Sequence, residues 1–438
     1  MATSDRLAKQ ILAKVLADRD VATVTAELSP RLPSAEPLPP SVPAKDEYSR
    51  EAMMRRREFL TSRGFDILHL SGEGPEIDPA SLAGNIESLV GFARVPVGVI
   101  GPLRVNGSVA HGDFYVPLAT TEGALVASFQ RGARLISEAG GATSICLHEI
   151  VTRGPGFVFE TARGAGHFLA HVLDRIDEIG DIVAQTSRHA KLLELTPSLV
   201  GKEVFLLFQF STGDAAGQNM VTLATEAICK ELVSTSPVKP VTWFIEANLS
   251  GDKKATHLAF QMTRGKRVVC DVAIPEPLVK KYLHTTPQQI KRYWEVAMLG
   301  AMQSGSIGMQ GHVANGLTAL FLACGQDVAC VSEVAVGITR FDVKDNGDLY
   351  LSLTLPTVIV GTVGGGTHLP TARECLAMLG CSGPGRGHAR KLAEICGATA
   401  LAGELSIAGA LAAGEFTMAH ATFGRAPAGK AKGSSDTT

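Results

Sequence analysis

The sequence has few aromatic residues and no excess of basic charge. Only 5% of its 438 residues are aromatic, and 41 Lys and Arg stand against 43 Asp and Glu, which gives a net charge of −2. Proteins dedicated to nucleic acids usually carry a clear basic excess and stack bases on aromatic side chains. The composition therefore argues against a nucleic acid as the partner.

Long apolar runs and paired cysteines are also missing. No run of about 18 apolar residues is evident, and residues 1–20 are charged throughout, without the apolar stretch of a signal peptide. The eight cysteines form no C-x-x-C pair and stand mostly in apolar surroundings, which predicts buried thiols rather than a disulfide frame or a metal site. We therefore expect a cytoplasmic protein with no membrane contact and no metal.

The chain does hold enough apolar residues for a large core, because 45% are hydrophobic and 19% are charged. Its first part, residues 1–86, is predicted to be a helical arm. Apolar spacing favours a helix over 4–18, a proline-rich linker follows at 30–43, and a charged helix is predicted over 45–63. The Gly, Ser and Lys residues of 426–438 predict a disordered tail.

Beyond residue 95 the pattern alternates between helices and strands. Helices are predicted over 119–137, 165–182 and 216–234, and strands over 203–211, 240–248, 267–274 and 349–360. The segment 296–325 is apolar and rich in small residues, but polar amides interrupt it. It predicts one buried central helix, because those amides need partners inside protein.

Three short polar motifs could carry chemistry. Glu122 is expected in the first turn of a helix between apolar, glycine-rich flanks, where it either favours the helix dipole or is desolvated and holds a proton near neutrality. In Asp252-Lys253-Lys254 a lysine is either solvated in a turn or directed inward to stabilise an oxyanion. Asp327 follows the end of an apolar helix, where the dipole disfavours an acid, so a cationic partner is predicted.

Phosphate binding is suggested by two glycine-rich segments and one polar tripeptide. Residues 213–219 and 361–367 each lie between a predicted strand and a predicted helix, where backbone amides either bind phosphate or form an ordinary tight turn. Thr186-Ser187-Arg188 suits a phosphate monoester, although alone it is typical of a helix start. His420, near the C-terminus, is either a surface histidine or an acid that titrates near neutrality.

These motifs occur in an order that resembles one enzyme family, hydroxymethylglutaryl-coenzyme A (HMG-CoA) reductase, over about residues 85–425. The matching stretches are VPVGVIGPL, VPLATTEGALVAS, RGARLI, TRGPG, TSRHAKL, GDAAGQNM, GDKKA, HVANGLTALFLACGQD, GTVGGGT, CLAMLG and LAGELS. The pattern looks closer to the NADPH-using class of eukaryotes and some prokaryotes than to the NADH-using bacterial class.

The resemblance implies an α/β (α+β) fold with the helical N-terminal arm at 1–86. A large substrate- and CoA-binding domain built around a central helix would occupy 87–153 and 250–425. A small, ferredoxin-like, non-Rossmann NADP(H)-binding domain would be inserted at 154–249. The family's active site forms between two subunits, which implies at least a homodimer, with Glu122 and the cofactor domain from different chains.

The resemblance also assigns roles to matching positions. The catalytic residues would be Glu122, Lys253, Asp327 and His420. The substrate contacts would be Arg153, Ser250, Asp252, Lys254 and Asn315, and the CoA contacts Ser128 and Arg131. The cofactor contacts would be Ser187, Arg188, Asp214, Asn219, Gly364, Gly365, Gly366 and Arg425.

The implied reaction is the four-electron reduction of (S)-HMG-CoA to mevalonate and CoA by two NADPH, in the mevalonate route to isoprenoids. Lys253 would stabilise the oxyanion and His420 would protonate the departing CoA thiolate. Glu122 would supply the proton for the alcohol, and Asp327 would couple Lys253 to Glu122.

Some positions depart from the family pattern. Glu295 stands where a lysine usually meets the substrate's free carboxylate, with Lys291 and Arg292 nearby, and the loop before Asp252 is several residues short. Ser88 and Gln218 replace an asparagine and a methionine, and Ala426 stands at the regulatory serine of animal and plant enzymes. Two alternatives therefore stay open: a divergent NADPH-dependent reductase of another acyl-CoA, and a non-catalytic CoA-binding homologue.

Overall fold

A computed structural model of the chain describes residues 5–44, 47–383 and 385–417. His420, Arg425 and the tail 426–438 lie outside the described residues, so the expectations for them stay predictions.

The N-terminal arm consists of short helices joined by the proline-rich segment. The helices are α1 Asp5–Leu16, α2 Val21–Glu27 and α3 Arg50–Thr61. Side-chain caps start two of them, since Asp20 accepts a hydrogen bond from the Thr23 amide and Ser49 accepts one from the Ala52 amide. The arm is fastened to the body of the protein by Arg104, whose guanidinium donates to the backbone carbonyls of Arg31 and Glu36 at 2.6 and 2.7 Å.

A β-hairpin, a helix and a long strand follow. They are β1 Val97–Gly107, β2 His111–Ala119, α4 Leu125–Glu138 and β3 Ala142–Arg153. Residues 142–150 of β3 pair with β1 or with a later strand, and its last three residues pair with a second group of strands. One continuous strand therefore connects two parts of the protein.

The second group of strands and its helices have a hydrophobic cluster of their own. The elements are β4 Gly156–Val158, α5 Ala162–Asp174, α6 Ile176–Thr186, β5 Lys191–Val200, β6 Glu203–Ser211, α7 Gln218–Thr235 and β7 Thr242–Phe244. Their strands pair antiparallel, which differs from the parallel sheet of a Rossmann fold. Their buried side chains, from Val151 to Leu232, form a cluster separate from the main core. The boundaries 154–249 stay our prediction for this unit.

The remaining elements complete the main core. They are α8 Leu258–Gln261, β8 Gly265–Ile274, α9 Glu276–Leu283, α10 Pro287–Ser304, α11 Val313–Ala323, α12 Val331–Val334, β9 Ile338–Val343, β10 Leu349–Val358, α13 Pro370–Met378 and α14 His388–Ala412. Strands β8, β9 and β10 pair antiparallel in the order β8-β10-β9. The mixed α/β class expected from the sequence is confirmed.

The predicted central helix was wrong in its location. Segment 296–325 is divided between α10 and α11, because Gly305 adopts φ +71° and ends α10. The central helix is instead α14, which contacts α4, β3, β8, β10 and α11. A methyl group at Gly132 on α4 would lie 1.9 Å from the Ala402 carbonyl oxygen, so these two helices cross with their backbones in contact.

Smaller corrections concern element boundaries. The predicted helix 165–182 is two helices, α5 and α6, and the predicted strand 240–248 shortens to β7. Among the described residues, α14 is long and apolar enough to cross a membrane by length and composition, a possibility that the sequence analysis missed. Its apolar window is, however, 83% buried inside the protein, as expected for a core helix.

Helix α14 carries a buried carboxylate that holds the start of α11. Glu404 Oε1 accepts hydrogen bonds from the amides of His312 and Val313 at 2.6 and 3.1 Å, and Oε2 accepts one from Gly311 at 3.1 Å. Burial raises the pKa of Glu404 to about 7 despite these donors. One side chain thus satisfies three backbone amides at the start of this helix.

Glu404 predicts a pH dependence of stability. Its ordinary pKa is 4.5, so between that pH and about 7 the folded protein keeps a proton that the unfolded chain has released. The free energy of unfolding should therefore fall as pH rises through this window, by up to about 1.4 kcal/mol per pH unit from this group. Denaturant unfolding at pH 5, 6 and 7 should show this decline in the wild type relative to Glu404→Gln, which cannot titrate. Parallel pH dependences would contradict the assignment.

Candidate active site

The loop between β7 and α8 presents Lys253 to a carboxylate. Lys253 has φ +56°, in the left-handed region, and follows Gly251 at φ +71°. Its Nζ lies 3.0 Å from Asp327 Oδ2, and about two-fifths of each side chain is exposed. The hydrogen bond with Asp327 is the main reason why the pKa of Lys253 is raised. Asp327 thus has the cationic partner that the sequence predicted.

Asp327 is held in place by its own segment and by the glycine-rich loop 361–367. Its Oδ1 accepts a hydrogen bond from the Ala329 amide at 3.1 Å and caps a short 3₁₀ turn, Val328–Cys330. A methyl group at Gly325 would lie 2.3 Å from the Gly366 carbonyl oxygen, so the two backbones are packed together. The Gly361 amide also donates to Gln326 Oε1 at 2.9 Å. The glycine loop therefore lies directly beside the Asp327 segment.

A chain of alternating charges continues from the lysine loop into the protein. Asp252 Oδ1 accepts from Arg264 Nη2 at 2.6 Å, and Asp252 Oδ2 accepts from Arg153 Nη1 at 3.2 Å. Arg264 Nη1 also bonds both oxygens of Glu333, at 2.6 and 2.8 Å. Arg153 contacts Glu246 Oε2 at 3.4 Å. Such a network compensates charges that would be costly to bury alone.

Three members of this network were not predicted from the sequence: Glu246, Arg264 and Glu333. Glu333 stands in an apolar run, VSEVAV, and Arg264 directly precedes the buried strand β8. Both are almost fully buried. A lone charge in an apolar pattern needs a partner of opposite sign, so the sequence could have marked Glu333 as a paired residue, although it does not indicate which residue pairs with it.

Two other predicted substrate contacts belong to the same loop. Ser250 is buried, and its Oγ accepts a hydrogen bond from the Asp252 amide at 3.2 Å. Lys254 is exposed, and its Nζ donates to the Asp252 carbonyl at 3.0 Å. Ser250 therefore shapes the turn, whereas Lys254 remains open to solvent.

Glu122 lies beside Asn315 at the opposite end of α11. Asn315 Nδ2 donates to Glu122 Oε2 at 2.8 Å, and Thr120 Oγ1 accepts from the Glu122 amide at 2.9 Å. The expectation of a desolvated carboxylate in a first helical turn was wrong for a single chain, because Glu122 is exposed and α4 begins only at Leu125. The positive φ of Ala124, +67°, delays the start of that helix.

The structure brings the catalytic candidates together as two separate pairs. Asn315 is near the start of α11, and Asp327 follows its end. At 1.5 Å per residue this helix is roughly 16 Å long. Among the described residues no hydrogen bond or ion pair joins Glu122 to Lys253 or Asp327. Within one chain Asp327 therefore pairs with Lys253. Among the described residues it makes no hydrogen bond to Glu122, so the expected coupling of Lys253 to Glu122 is only half formed.

The two predicted CoA contacts, Ser128 and Arg131, lie one turn apart on α4 and both contact α14. Ser128 Oγ lies 2.9 Å from Ser406 Oγ, and Arg131 donates to the Ser406 hydroxyl and carbonyl at 3.0 and 2.8 Å. Partial burial lowers the pKa of Arg131. These residues thus link the two helices of the core as well as reaching toward its surface.

Two predicted cofactor residues, Asp214 and Asn219, lie in the loop after β6 and at the start of α7. Asp214 accepts hydrogen bonds from the amides of Gly387 and Ala389 at 3.0 and 2.8 Å, so its carboxylate caps α14 rather than standing free for a ligand. Its carbonyl accepts from Thr362 at 2.8 Å. Asn219 is exposed at the start of α7, next to Gln218, whose amide contacts Cys330 Sγ at 3.1 Å.

The remaining cofactor candidates fit a phosphate-bearing ligand. Ser187 ends α6, and its Oγ accepts from the amides of His189 and Ala190, which leaves the hydroxyl hydrogen to donate. Arg188 is exposed. Gly364 and Gly365 are exposed, with φ of +80° and +58° and open space at the Cβ position, so a bulky anion can approach this backbone closely. Gly366 instead packs on Gly325.

The atypical residue Glu295 lies on α10 with a basic neighbour of its own. Arg292 Nη1 contacts Glu295 Oε2 at 3.1 Å, whereas Lys291 Nζ bonds Asp342 Oδ1 at 2.7 Å on β9. Both basic residues near the usual lysine position, Lys291 and Arg292, are therefore already paired within this chain.

In the described part of the chain, no group of three or more His, Cys, Asp or Glu residues could hold a metal ion. All eight cysteines are buried and free, as predicted. Burial raises the pKa of the thiols, to about 11 at Cys146 and about 12 at Cys375.

Solved structures share this fold. A class II 3-hydroxy-3-methylglutaryl-CoA reductase from Streptococcus pneumoniae, bound to NADPH in open conformations, superposes with a TM-score of 0.67 at 18% identity. The alignment covers 84% of this chain and 98% of that chain.

Sequence comparisons identify the family. The profile of hydroxymethylglutaryl-coenzyme A reductase matches residues 52–425. The 3-hydroxy-3-methylglutaryl-coenzyme A reductase of Pyrococcus abyssi is 42% identical over 85% of this chain and 92% of its own length. The enzyme of the same name from Methanocaldococcus jannaschii is 41% identical over 86% of this chain and 94% of its own length. The chain therefore belongs to the hydroxymethylglutaryl-coenzyme A reductase family, a family of oxidoreductases.

Proposed function

We propose that this protein reduces (S)-HMG-CoA to mevalonate and CoA with two NADPH, in the mevalonate route to isoprenoids. The observation that carries the proposal is the pair formed by Lys253 and Asp327, a fixed ammonium beside a carboxylate and a glycine-rich loop. The family to which the chain belongs indicates which reaction this pair would serve. A cytoplasmic location stays a prediction from the sequence.

The side chains divide the work as follows. Lys253 donates a hydrogen bond to the thioester oxygen and stabilises the negative charge that develops there. Asp327 directs the Lys253 ammonium and favours its protonated form, since the hydrogen bond between them raises the pKa of Lys253. Glu122, held by Asn315, supplies a proton to the alcohol oxygen, and His420 protonates the CoA thiolate. The last two roles rest on the family resemblance.

Ser187 and Arg188 would hold NADPH at its 2′-phosphate. The open backbone at Gly364 and Gly365 would form a second contact with the cofactor. Asn219 and Arg425 are further candidates for contacts with the cofactor. Asp214 would act indirectly, through its hydrogen bonds to the start of α14. When bound, the cofactor supplies the electrons as hydride. Asp252, Arg153 and Lys254 would bind the acyl part of the substrate, and Ser128 and Arg131 would bind CoA.

A homodimer or higher oligomer is part of the proposal. Glu122 contacts Asn315 near the start of α11, whereas Lys253 contacts Asp327 beyond its end, and among the described residues no hydrogen bond or ion pair joins Glu122 to Lys253. A second copy that brings its Glu122 to the Lys253 of the first would complete the site. Glu122 and the cofactor unit would then come from different chains.

Turnover by the purified protein tests the proposed reaction. The purified protein should oxidise two equivalents of NADPH per HMG-CoA, and Lys253→Ala should lower kcat about 100-fold or more, because an oxyanion donor is lost. Lys280→Ala, which removes an exposed lysine paired with Glu276 on α9, should keep the wild-type rate. A wild-type rate in Lys253→Ala would contradict the mechanism.

The same assay separates the alternatives. Faster reduction of an acyl-CoA that lacks a free carboxylate would favour the divergent reductase that Glu295 suggests. Binding of CoA without turnover of any thioester would favour a non-catalytic homologue.

Arg188 predicts the choice of cofactor. Arg188→Ala should raise the KM for NADPH roughly tenfold to 100-fold, because a charge-assisted bond to phosphate is lost, and should leave the KM for NADH unchanged. Steady-state rates with each cofactor measure both values. Arg163→Ala, an exposed arginine on α5 in the same unit, serves as control. An equal loss with both cofactors would contradict the assignment.

The shared site predicts complementation between two inactive variants. Co-expressed Glu122→Gln and Lys253→Ala chains should recover about a quarter of wild-type activity, since half of randomly formed dimers are mixed and each mixed dimer has one intact site. Each variant alone should stay inactive. Mixed samples with no recovery, despite subunit mixing shown by differently tagged chains, would mean that both residues act within one chain.

A further inference from the structure

One short segment holds Lys253 at both its side chain and its backbone. Asp327 bonds the Lys253 ammonium at 3.0 Å. Glu333, six residues further along and within α12, accepts a hydrogen bond at Oε1 from the Lys253 backbone amide. The ammonium and the backbone of the lysine are therefore fixed relative to the same segment.

The backbone of Lys253 needs such support. Its φ of +56° lies in the left-handed region, which residues with a Cβ seldom adopt. The direction in which the side chain leaves the turn depends on this conformation. An acceptor that fixes the amide of Lys253 also fixes where its ammonium can reach.

Glu333 is itself held rigidly. Both of its oxygens bond Arg264 Nη1, at 2.6 and 2.8 Å, and its carbonyl accepts from Thr357 Oγ1 at 2.9 Å. Glu333 and Arg264 are 2% and 4% exposed. Arg264 also reaches Asp252 Oδ1 at 2.6 Å, so the residue just before Lys253 is tied to the same guanidinium.

We propose that Glu333, compensated by Arg264, is a positioning residue that sets the left-handed turn of Lys253 and so aims its ammonium at the reacting oxygen. This inference rests on the proposed function. Glu333 touches neither Lys253 Nζ nor Asp327 in the structure, and it acts through the backbone. Its effect should therefore appear in the chemical step, where the ammonium is needed, rather than in the binding of either substrate.

The test is a steady-state comparison of Glu333→Gln with the wild-type full chain. We expect kcat to fall roughly tenfold to 100-fold, because the Gln amide nitrogen cannot accept from Arg264, so the side chain that fixes the Lys253 turn is displaced, and small displacements of a catalytic group are costly. The KM values for HMG-CoA and for NADPH should stay within about twofold. The matched control is Glu394→Gln on α14, a buried glutamate that also accepts backbone amides, from Val109, Ala110 and Cys146. It should keep the wild-type kcat even if its melting temperature falls.

The outcomes are distinct. Unchanged kcat in a folded Glu333→Gln, or equal losses of kcat in Glu333→Gln and Glu394→Gln, would overturn the inference. If Glu333→Gln does not fold, Glu333→Asp decides, because it keeps the charge for Arg264 but is one methylene too short to keep the bond to Lys253. A selective fall in kcat supports the inference, and a wild-type kcat overturns it. Absence of turnover in the wild type would instead refute the proposed function.

Discussion

The candidate site depends on a charged lysine being held in one orientation beside a carboxylate. An isolated surface salt bridge contributes little, and Lys253 and Asp327 are both partly exposed. The surrounding structure supplies the rigidity that the pair lacks. The Asp327 carboxylate caps a 3₁₀ turn, its segment packs on the glycine loop through Gly325, and Glu333 holds the lysine amide.

Buried and half-buried carboxylates perform a related task elsewhere in the protein. Glu404 holds the start of α11, Glu394 holds the turn after β1, and Asp214 caps the start of α14. Each places an acceptor where two or more backbone amides converge. Asn315 lies near the start of α11 and Asp327 follows its end. The positions of both residues therefore depend on Glu404, which holds the start of this helix.

The sequence predicted elements well where the pattern was local. Strand β6 and the alternating strand β10 agree closely with the expected ranges, as do the first helix and α7. The central helix was misassigned because α11 and α14 are both apolar and rich in small residues, and only packing decides which is central. The pair of Lys253 with Asp327 was foreseeable from an acid at a disfavoured helix end.

Other features of the site could not be foreseen. Partners such as Arg264 and Glu333 are far apart in the chain, and no spacing rule connects them. The exposure of Glu122 depends on how α4 starts. The family resemblance assigns Asp214 a cofactor contact, whereas only the fold shows that its carboxylate also accepts hydrogen bonds from the amides of Gly387 and Ala389 at the start of α14.

The most direct test of the account is a crystal structure of the protein with HMG-CoA bound. The account predicts Lys253 Nζ within about 3 Å of the thioester oxygen, still paired with Asp327, and a Glu122 from the partner subunit on the same carbonyl. A thioester bound away from Lys253, or a site completed by Glu122 of the same chain, would contradict it.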